Sequence, residues 1–305
     1  MKITRKKPLV SVCVVTYNQE KYIHQCLQSI LDQKTDFEFE VVVGDDCSTD
    51  RTNAIIYYFV EHYPQQIRVF NQLNNVGPFK NLIDTCEKAK GDLIAHCDGD
   101  DFWLPNKLQT QIILLKNNID ITGVFTNAKT NHNLINPIQD HIADISDALE
   151  TIFTKSPFVR SSLVERKFDM KSIQTYLTTN NEIYDFEMYW LNHRKGKLMI
   201  LGTPYVNYNR NSMGISKNPE ILEKYASAIE RLKVCGLHDD TCQAMRLDLS
   251  IIKYFINPSK ENKINRHSYL KSRNKNIFIL VKLFLPVFFF NSFRNLVRYY
   301  RALMG

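Results

Sequence analysis

The chain has 305 residues, 44% of them hydrophobic and 23% charged, which excludes a fibrous or largely disordered protein. The length is enough for one large domain, or for one domain with a helical appendix. The formal net charge of +7 is unevenly spread: from Lys253 onward eleven Lys and Arg face one acid, Glu261, so the tail is strongly basic and the body before it mildly acidic.

Residues 9–15 are apolar, largely β-branched and bounded by turn residues, the pattern of a buried strand. Basic residues precede this run. It is short, however, passes into Thr16-Tyr17-Asn18 and offers no small-residue cleavage site, so it reads as a strand and not as a signal peptide. Tyr22, Ile23, Cys26, Leu27, Ile30 and Leu31 then recur at helical spacing. A second strand is expected at 39–44, a helix at 52–63 capped by Ser48 or Asp50, a third strand at 67–70, and a helix at 78–88. A fourth strand follows at 92–97, a helix opened by Pro105 that runs to about Asn117, and a fifth strand at 121–125. Residues 127–180 are polar and lack a regular pattern. Helix is expected again at 185–194, strand at 198–208, helices at 220–233 and 241–255, and a polar, basic linker at 257–276. No internal repeat is apparent.

Strands alternating with helices at this rhythm imply crossover connections, and those imply an α/β fold: a mostly parallel central sheet flanked by helices, with a helical C-terminal extension. Ligands of such sheets bind beyond the carboxyl ends of the strands. The polar clusters fall at those ends: Thr16-Tyr17-Asn18, Asp45-Asp46 and Asp98–Asp101. Three segments distant in sequence are therefore expected to meet in one crevice. The seven cysteines are odd in number and include no C-x-x-C pair and no zinc-like Cys/His spacing. Cys13 and Cys97 lie in apolar runs, where a reduced thiol acts as a small hydrophobe, which points to a reducing compartment.

In Asp98-Gly99-Asp100-Asp101 three carboxylates crowd one strand end. They repel one another unless a cation is near, and carboxylates together with phosphate oxygens suit Mg²⁺ or Mn²⁺. Such an ion can neutralise a departing diphosphate. Asp45-Asp46-Cys47-Ser48-Thr49-Asp50 is a second acidic turn, where a carboxylate can accept a hydrogen bond from a nucleobase. Either turn alone also fits a simple helix cap. Tyr17 can stack on a base, a contact of ~1–3 kcal/mol.

The ordered set Val-x-Val-Val-Thr-Tyr-Asn at 12–18, Val-Val-Val-Gly-Asp-Asp-Cys-Ser-Thr-Asp at 41–50, Asn75-Val76-Gly77, and Cys-Asp-Gly-Asp-Asp-Phe-Trp-Leu-Pro-Asn-Lys-Leu at 97–108 resembles the family 2 glycosyltransferases, which have the glycosyltransferase A fold. The likeness runs in register over roughly 8–127 and continues weakly to about 216. It implies that Thr16 and Tyr17 line the nucleotide base and that Asp46 bonds it, with Asp45 the less favoured neighbour. It implies that Asp98 and Asp100 hold the ribose and the metal-bound diphosphate, with Asp100 the direct metal ligand. Lys80 falls where members often carry a basic residue near the diphosphate. Tyr184-Asp185-Phe186-Glu187-Met188-Tyr189-Trp190 resembles the acidic motif of the family, which makes Asp185 the general base, with Glu182 and Glu187 as alternatives. Tyr208-Asn209-Arg210-Asn211 stands where the family usually has Tyr-Arg-x-His, so a diphosphate contact from that histidine is missing here.

The resemblance implies an inverting, metal-dependent transferase of the hexosyltransferase type. Its donor is a nucleotide sugar and its acceptor a glycan or lipid-linked glycan of a bacterial surface polysaccharide. The expected layout is a nucleotide-sugar-binding part (1–127), an acceptor-binding part of the same domain (128–216), a helical extension (217–256) and a basic, apolar tail (257–305). In the tail Phe293, Leu296, Val297, Tyr300 and Met304 share a helical face flanked by Arg294, Arg298 and Arg301, the pattern of a helix lying on an anionic membrane surface. The run at 277–290 is too short to span a bilayer. The protein is thus expected in the cytoplasm, peripheral at the inner face of the membrane, with no nucleic-acid partner. The rivals are a non-catalytic nucleotide-sugar-binding protein of the same fold and a nucleotide-dependent oxidoreductase. The latter needs a Gly-rich first turn, which Thr16-Tyr17-Asn18-Gln19 does not provide.

Overall fold

The expected alternation of strand and helix is the one observed. In chain order the elements are β1 (Val10–Thr16), α1 (Ile23–Leu31), β2 (Phe39–Asp45), α2 (Thr52–His62), β3 (Ile67–Asn71), α3 (Pro78–Lys88), β4 (Leu93–Asp98), β5 (Phe102–Trp103), α4 (Lys107–Asn117) and β6 (Ile121–Thr130). They continue with β7 (Asn133–Leu134), β8 (His141–Asp144), a 3₁₀ turn (Arg160–Ser162), β9 (Val164–Arg166), α5 (Asp185–His193), β10 (Lys197–Asn207) and α6 (Pro219–Val234). This computed structural model describes residues 7–130, 133–134, 139–145, 159–167, 183–209 and 219–237, and single positions at 173, 175–176, 241–242, 245–246 and 249. Glu182, the segment 210–216, most of the helix expected at 241–255 and the whole of 257–305 lie outside the described residues.

The strands form one mixed sheet in the order β3-β2-β1-β4-β9-β6-β10-β5, with β7 on β6 and β8 on β10. β1 pairs in parallel with β2 and β4, β2 with β3, and β6 with β10. Only β9 separates β4 from β6, and it is antiparallel to both. The six longer strands therefore all point the same way and end at one edge. β9, running against them, begins at that edge, so the 3₁₀ turn just before it arrives beside the carboxyl end of β4.

Alternation along the strands covers both faces. Val10, Val12 and Val14 of β1 and Val41 and Val43 of β2 join Ile23, Leu27 and Ile30 of α1, Ile56 and Phe59 of α2, and Leu108, Ile112 and Leu115 of α4 in one buried cluster. On the opposite face Cys13 meets Cys86 of α3. Each such side chain stabilises the fold by ~1.5–3 kcal/mol when fully buried. The expected fifth strand is longer than its apolar run. β6 continues to Thr130 because β10 pairs with it as far as Lys129.

By its contacts the chain divides into two compact units, Met1–Ala148 with Phe158–Ser212, and Leu149–Pro157 with Met213–Gly305. In the second, Ala228, Ile229 and Leu232 of α6 are buried, as are Leu237, Cys242, Met245 and Leu249. Among the described residues no helix is long and apolar enough to cross a membrane.

A polar cluster inside the first unit holds β9 in place. Glu165 is 1% exposed, with His96 Nε2 of β4 2.6 Å from Oε1 and His193 Nε2 of α5 3.0 Å from Oε2. Asn192 donates to Oε2 at 3.2 Å, and His193 Nδ1 lies 2.8 Å from Thr122 Oγ1 of β6. A Cβ on Gly123 would come within 2.8 Å of the His193 ring, so only glycine lets the imidazole lie against β6 there. Burial pushes the Glu165 carboxyl up, but the hydrogen bonds from His193 and His96 prevail and bring it down to about 2.

Replacing Glu165 by Ala strands two buried imidazoles and should destabilise the first unit by ~3–5 kcal/mol, read from urea denaturation at neutral pH. The folded-state carboxyl lies below its ordinary 4.5. Its stabilising contribution is therefore complete above that pH and is lost as pH falls toward about 2. E165Q should remove that part of the acid sensitivity, and an unaltered acid-unfolding curve would contradict this account.

Candidate active site

Three turns meet at the carboxyl edge, as the strand ends imply. After β1, Thr16 is buried and Tyr17 is 45% exposed, an aromatic ring open to solvent at the crevice. Asn18 follows in the left-handed region at φ +51°, a conformation that Asn tolerates better than most residues. Its Oδ1 accepts from Thr49 N–H at 2.8 Å, and its own N–H donates to Ser48 Oγ at 2.9 Å, which locks the first turn to the second. Asp46 N–H donates to the Thr16 carbonyl at 2.9 Å.

Asp45 and Asp46 are both buried, and each carboxylate already has partners. Asp45 accepts from Ser48 N–H at 2.9 Å and from its hydroxyl, closing the acidic turn on itself. Asp46 accepts from Val76 N–H at 2.8 Å and Gly77 N–H at 3.0 Å. The Asn75-Val76-Gly77 segment is thereby fastened under the crevice at the start of α3. Burial raises the Asp46 carboxyl above its ordinary range, and Asp45 and Asp84 add to this against the two N–H bonds. Asp50, of the two caps considered, is the one whose carboxylate accepts from Thr52 N–H at the start of α2, at 2.9 Å. Lys80 lies on the exposed side of α3 and pairs with Asp84 one turn on.

The third turn is Asp98-Gly99-Asp100-Asp101. Gly99 N–H donates to the Val15 carbonyl at 2.9 Å. A Cβ at this position would meet Thr16 Cβ at 2.9 Å and Gln19 Oε1 at 2.5 Å. The glycine is what allows this acidic turn to close against the first one. Asp101 is 1% exposed and accepts from Ser161 Oγ at 2.5 Å and from Asn209 N–H at 2.9 Å, tying β4, the 3₁₀ turn and the end of β10 together. Burial, then the charges of Asp98 and Asp100, push its carboxyl well up. Trp103 donates from Nε1 to the Ser161 carbonyl at 3.1 Å. Lys107 is fully buried with Nζ 4.2 Å from the Trp103 ring centroid and without a hydrogen-bond partner, and burial pulls its amine down to about 7.

No motif or periodicity marks Arg160, the first residue of the 3₁₀ turn. Its side chain is 11% exposed; Nε lies 3.3 Å from Asp98 Oδ1 and Nη1 3.1 Å from Asp185 Oδ1. One guanidinium thus joins a carboxylate of the D-x-D turn to the carboxylate expected to act as base. Asp185 is the first residue of α5, where the helix N-terminus favours negative charge. Its Oδ1 is buried while the side chain keeps 39% exposure. Burial raises its carboxyl, Arg160 opposes this, and Asp98 adds to it. Glu187, an alternative base, is fully buried and accepts from Tyr184 N–H at 2.9 Å and from the Tyr176 hydroxyl. It acts as the cap of α5. Glu182 lies outside the described residues.

Among the described residues no group of three or more His, Cys, Asp or Glu side chains could hold a metal ion by themselves. The D-x-D turn nevertheless fits a hard divalent cation. Burial first, and then the charges of Asp98 and Asp100, push the Asp101 carboxyl up, and Asp98 and Asp100 both keep partial exposure at the strand end, where hard oxygen ligands suit such an ion.

A mixed α/β sheet with acidic turns gathered at one carboxyl edge defines the glycosyltransferase A class of fold. Solved structures agree. Staphylococcus aureus TarS 1-349 in complex with UDP-GlcNAc superimposes with a TM-score of 0.60 at 21% identity, covering 85% of this chain and 79% of that one. The mannosyltransferase PcManGT from Pyrobaculum calidifontis, in complex with GDP-Man and Mn²⁺, gives a TM-score of 0.51 at 15% identity, covering 83% and 73%. The sequence profile described as "Glycosyl transferase family 2" matches residues 11–189, and the chain belongs to that family. Two curated relatives come from Bacillus subtilis (strain 168). The putative teichuronic acid biosynthesis glycosyltransferase TuaG is 36% identical over 110 residues, 36% of this chain and 43% of its own. The putative glycosyltransferase EpsE is 34% identical over 109 residues, 36% and 39%. The chain spans less than half the length of the curated relatives it matches.

Proposed function

We propose that the protein is a metal-dependent, inverting glycosyltransferase of bacterial surface-polysaccharide synthesis that moves a sugar from a nucleotide diphosphate to an acceptor hydroxyl. The observation that carries this reading is the meeting of Asp98 and Asp185 at Arg160, which brings a donor carboxylate and a base carboxylate to the same point of the sheet edge. The family supports the transferase chemistry, and the printed ligands of the neighbours, UDP-GlcNAc and GDP-Man with Mn²⁺, support a nucleotide-sugar donor.

In this reading Tyr17 stacks on the base beside Thr16. Asp46 reaches the base with the lone pairs that Val76 and Gly77 leave open, and Lys80 approaches the diphosphate if it leaves Asp84. Asp98 holds the ribose and the diphosphate side. A divalent cation, Mg²⁺ or Mn²⁺, held by Asp100 supplies Lewis-acid stabilisation of the leaving diphosphate. Asp185 takes the proton of the acceptor hydroxyl. The hydroxyl oxygen then forms its bond to the anomeric carbon as the carbon–phosphate oxygen bond breaks, the nucleoside diphosphate leaves with the electron pair, and configuration inverts. Glu187 is left to its capping role. Residues 1–127 form the donor side and 128–216 the acceptor side, followed by the helical extension 217–256. The tail from 257 binds an anionic membrane surface and brings a lipid-linked glycan within reach.

A thermal-shift screen of nucleotide sugars with Mn²⁺ finds the donor, because a ligand of the folded state alone raises its melting temperature. Asp100→Ala should abolish transfer and metal-dependent donor binding while the melting temperature of the unliganded protein stays unchanged. Calorimetry decides, and undiminished metal-dependent affinity removes Asp100 from the site. Asp185→Asn should lower turnover by ~10²–10⁴-fold and leave donor affinity intact, since a base acts on the acceptor. A loss of less than about threefold would pass the role to another group. Deleting residues 258–305 should release the protein from anionic liposomes and spare donor binding. Each basic residue near such a surface contributes ~1 kcal/mol, with the apolar stripe adding to it, so salt alone should release the full chain only in part. Co-sedimentation tests this, and a full-length chain that stays in the supernatant would end the membrane reading.

A further inference from the structure

The segment that carries Arg160 is unusually well anchored for a turn. Ser161 Oγ donates to Asp101 and accepts from Asp98 N–H at 2.9 Å; Ser161 O accepts from Trp103 Nε1; Ser162 O accepts from Gln111 Nε2 at 2.8 Å. The guanidinium carbon lies 6.0 Å from the centroid of Phe79. That ring meets Tyr184, the residue before Asp185, edge to face at 5.2 Å. Arg160 therefore sits on an anchored backbone with the Phe79 ring beside its guanidinium. An exposed arginine would swing; this one is held to a single arrangement with two carboxylates.

We propose that Arg160 is a positioning residue of the transfer reaction, gripping Oδ1 of Asp185 so that Oδ2 faces the acceptor at a fixed distance from Asp98. The proposal rests on the reading of Asp185 as the base. The geometry supports it from three sides. Asp185 Oδ1 is buried and makes no hydrogen bond, its contact being the Arg160 ion pair at 3.1 Å, while the side chain as a whole keeps 39% exposure. The fork of a guanidinium reaches two carboxylates at once, which an ammonium does not do with the same geometry. The charge also works in the needed direction, because a base must be ionised to accept a proton. The groups that face Asp185 are Arg160 from the 3₁₀ turn, Asp98 and His96 from β4, and Tyr189 from its own helix. Burial and Asp98 favour the protonated acid, while Arg160 and His96 favour the carboxylate. Glu187, nearby on α5, is turned away to its cap. Loss of Arg160 therefore raises the Asp185 carboxyl further and moves the acidic limb of the rate profile to higher pH.

The test uses full-length wild type, R160Q, R160K and D185N. One arm needs no donor: the carboxyl ¹³C titration of Asp185, assigned by its absence in D185N. Its midpoint should move to higher pH in R160Q and return toward the wild-type value in R160K, which keeps the charge. The second arm follows nucleoside diphosphate release from UDP-N-acetylglucosamine and GDP-mannose with Mn²⁺, water standing in for the acceptor. R160Q should lose ~10²-fold in kcat with KM for the donor little changed, and R160K should recover part of that loss. Thermal melting separates these effects from a loss of fold: the Asp185 titration is read on whichever of the two variants melts cooperatively. An Asp185 midpoint equal in R160Q and wild type, or a loss confined to KM, overturns the proposal. Equal turnover in D185N and wild type overturns the base reading beneath it. A large loss in D185N with none in R160Q leaves that reading standing and removes Arg160 alone.

Discussion

Six long strands that point one way deliver their carboxyl ends to one edge, and in this chain those ends are acidic. Asp45, Asp46, Asp98, Asp100 and Asp101 crowd there, and α5 adds Asp185. At an effective dielectric constant of ~20, two like charges about 4 Å apart repel by ~4 kcal/mol, so the edge holds together only if each carboxylate is answered. The answers differ in kind. Backbone N–H groups of Val76 and Gly77 serve Asp46, and Ser48 serves Asp45. Ser161 and Asn209 serve Asp101, which burial and its neighbours also push toward neutrality. Asp98 and Asp185 share a guanidinium. The answering groups come from four stretches of chain, Ser48, Val76-Gly77, Arg160-Ser161 and Asn209, so the charges of the edge tie those stretches to it.

The guanidinium reaches the edge through a topological exception. Parallel strands bring only their C-terminal turns to that side. A residue that precedes a strand arrives there only if the strand runs the other way. β9 does so, wedged between β4 and β6, and it is three residues long. So short a strand has little ladder to hold it. The polar cluster of Glu165 with His96 and His193 supplies the rest, clamping β9 to β4 and α5 from within the core. The same helix that gives His193 to the clamp gives Asp185 to the edge, so the polar core and the site are two ends of one arrangement.

The half of this architecture from β1 to β4 was legible in the sequence because it obeys local rules. Apolar runs such as 10–15 and 39–43 alternate with helices whose buried faces repeat at helical spacing, and acidic turns close the strands. The Asp98–Asp101 turn could be assigned without knowing any partner. Beyond it the helix at 185–194 and the strand at 198–208 were legible too, but the short elements were not, for physical reasons. β9 is too short to show a period, and its buried Glu165 breaks the apolar pattern that marks a strand. β5 is two residues whose strand character comes only from pairing with Val206 and Asn207 of β10. Arg160 and Ser161 look like ordinary loop residues until tertiary contacts bury them. The sequence preferred Asp185 to Glu187 only through the family resemblance; burial of Glu187 and its hydrogen bonds from Tyr184 N–H and the Tyr176 hydroxyl separate the cap from the candidate base.

The division between legible and illegible residues follows the division of labour at the site. A nucleotide diphosphate is the same polyanion whatever sugar it carries, so the turns that receive it can be built into the strand ends that every such sheet possesses. An acceptor differs from one enzyme to the next, and the group that activates it must be aimed across the crevice from elements added to the sheet. In the proposed mechanism that aim falls to Arg160, whose charge lies between Asp98 on one side and Asp185 on the other. Because that single cation answers carboxylates on both sides, neither side can shift without leaving a charge unpaired in a partly buried place. The cost of an unpaired buried charge is large compared with that of a displaced surface contact. The distance between Asp98 and Asp185 is thereby tied to one guanidinium, in a stretch of chain that has no secondary-structure pattern to fix it.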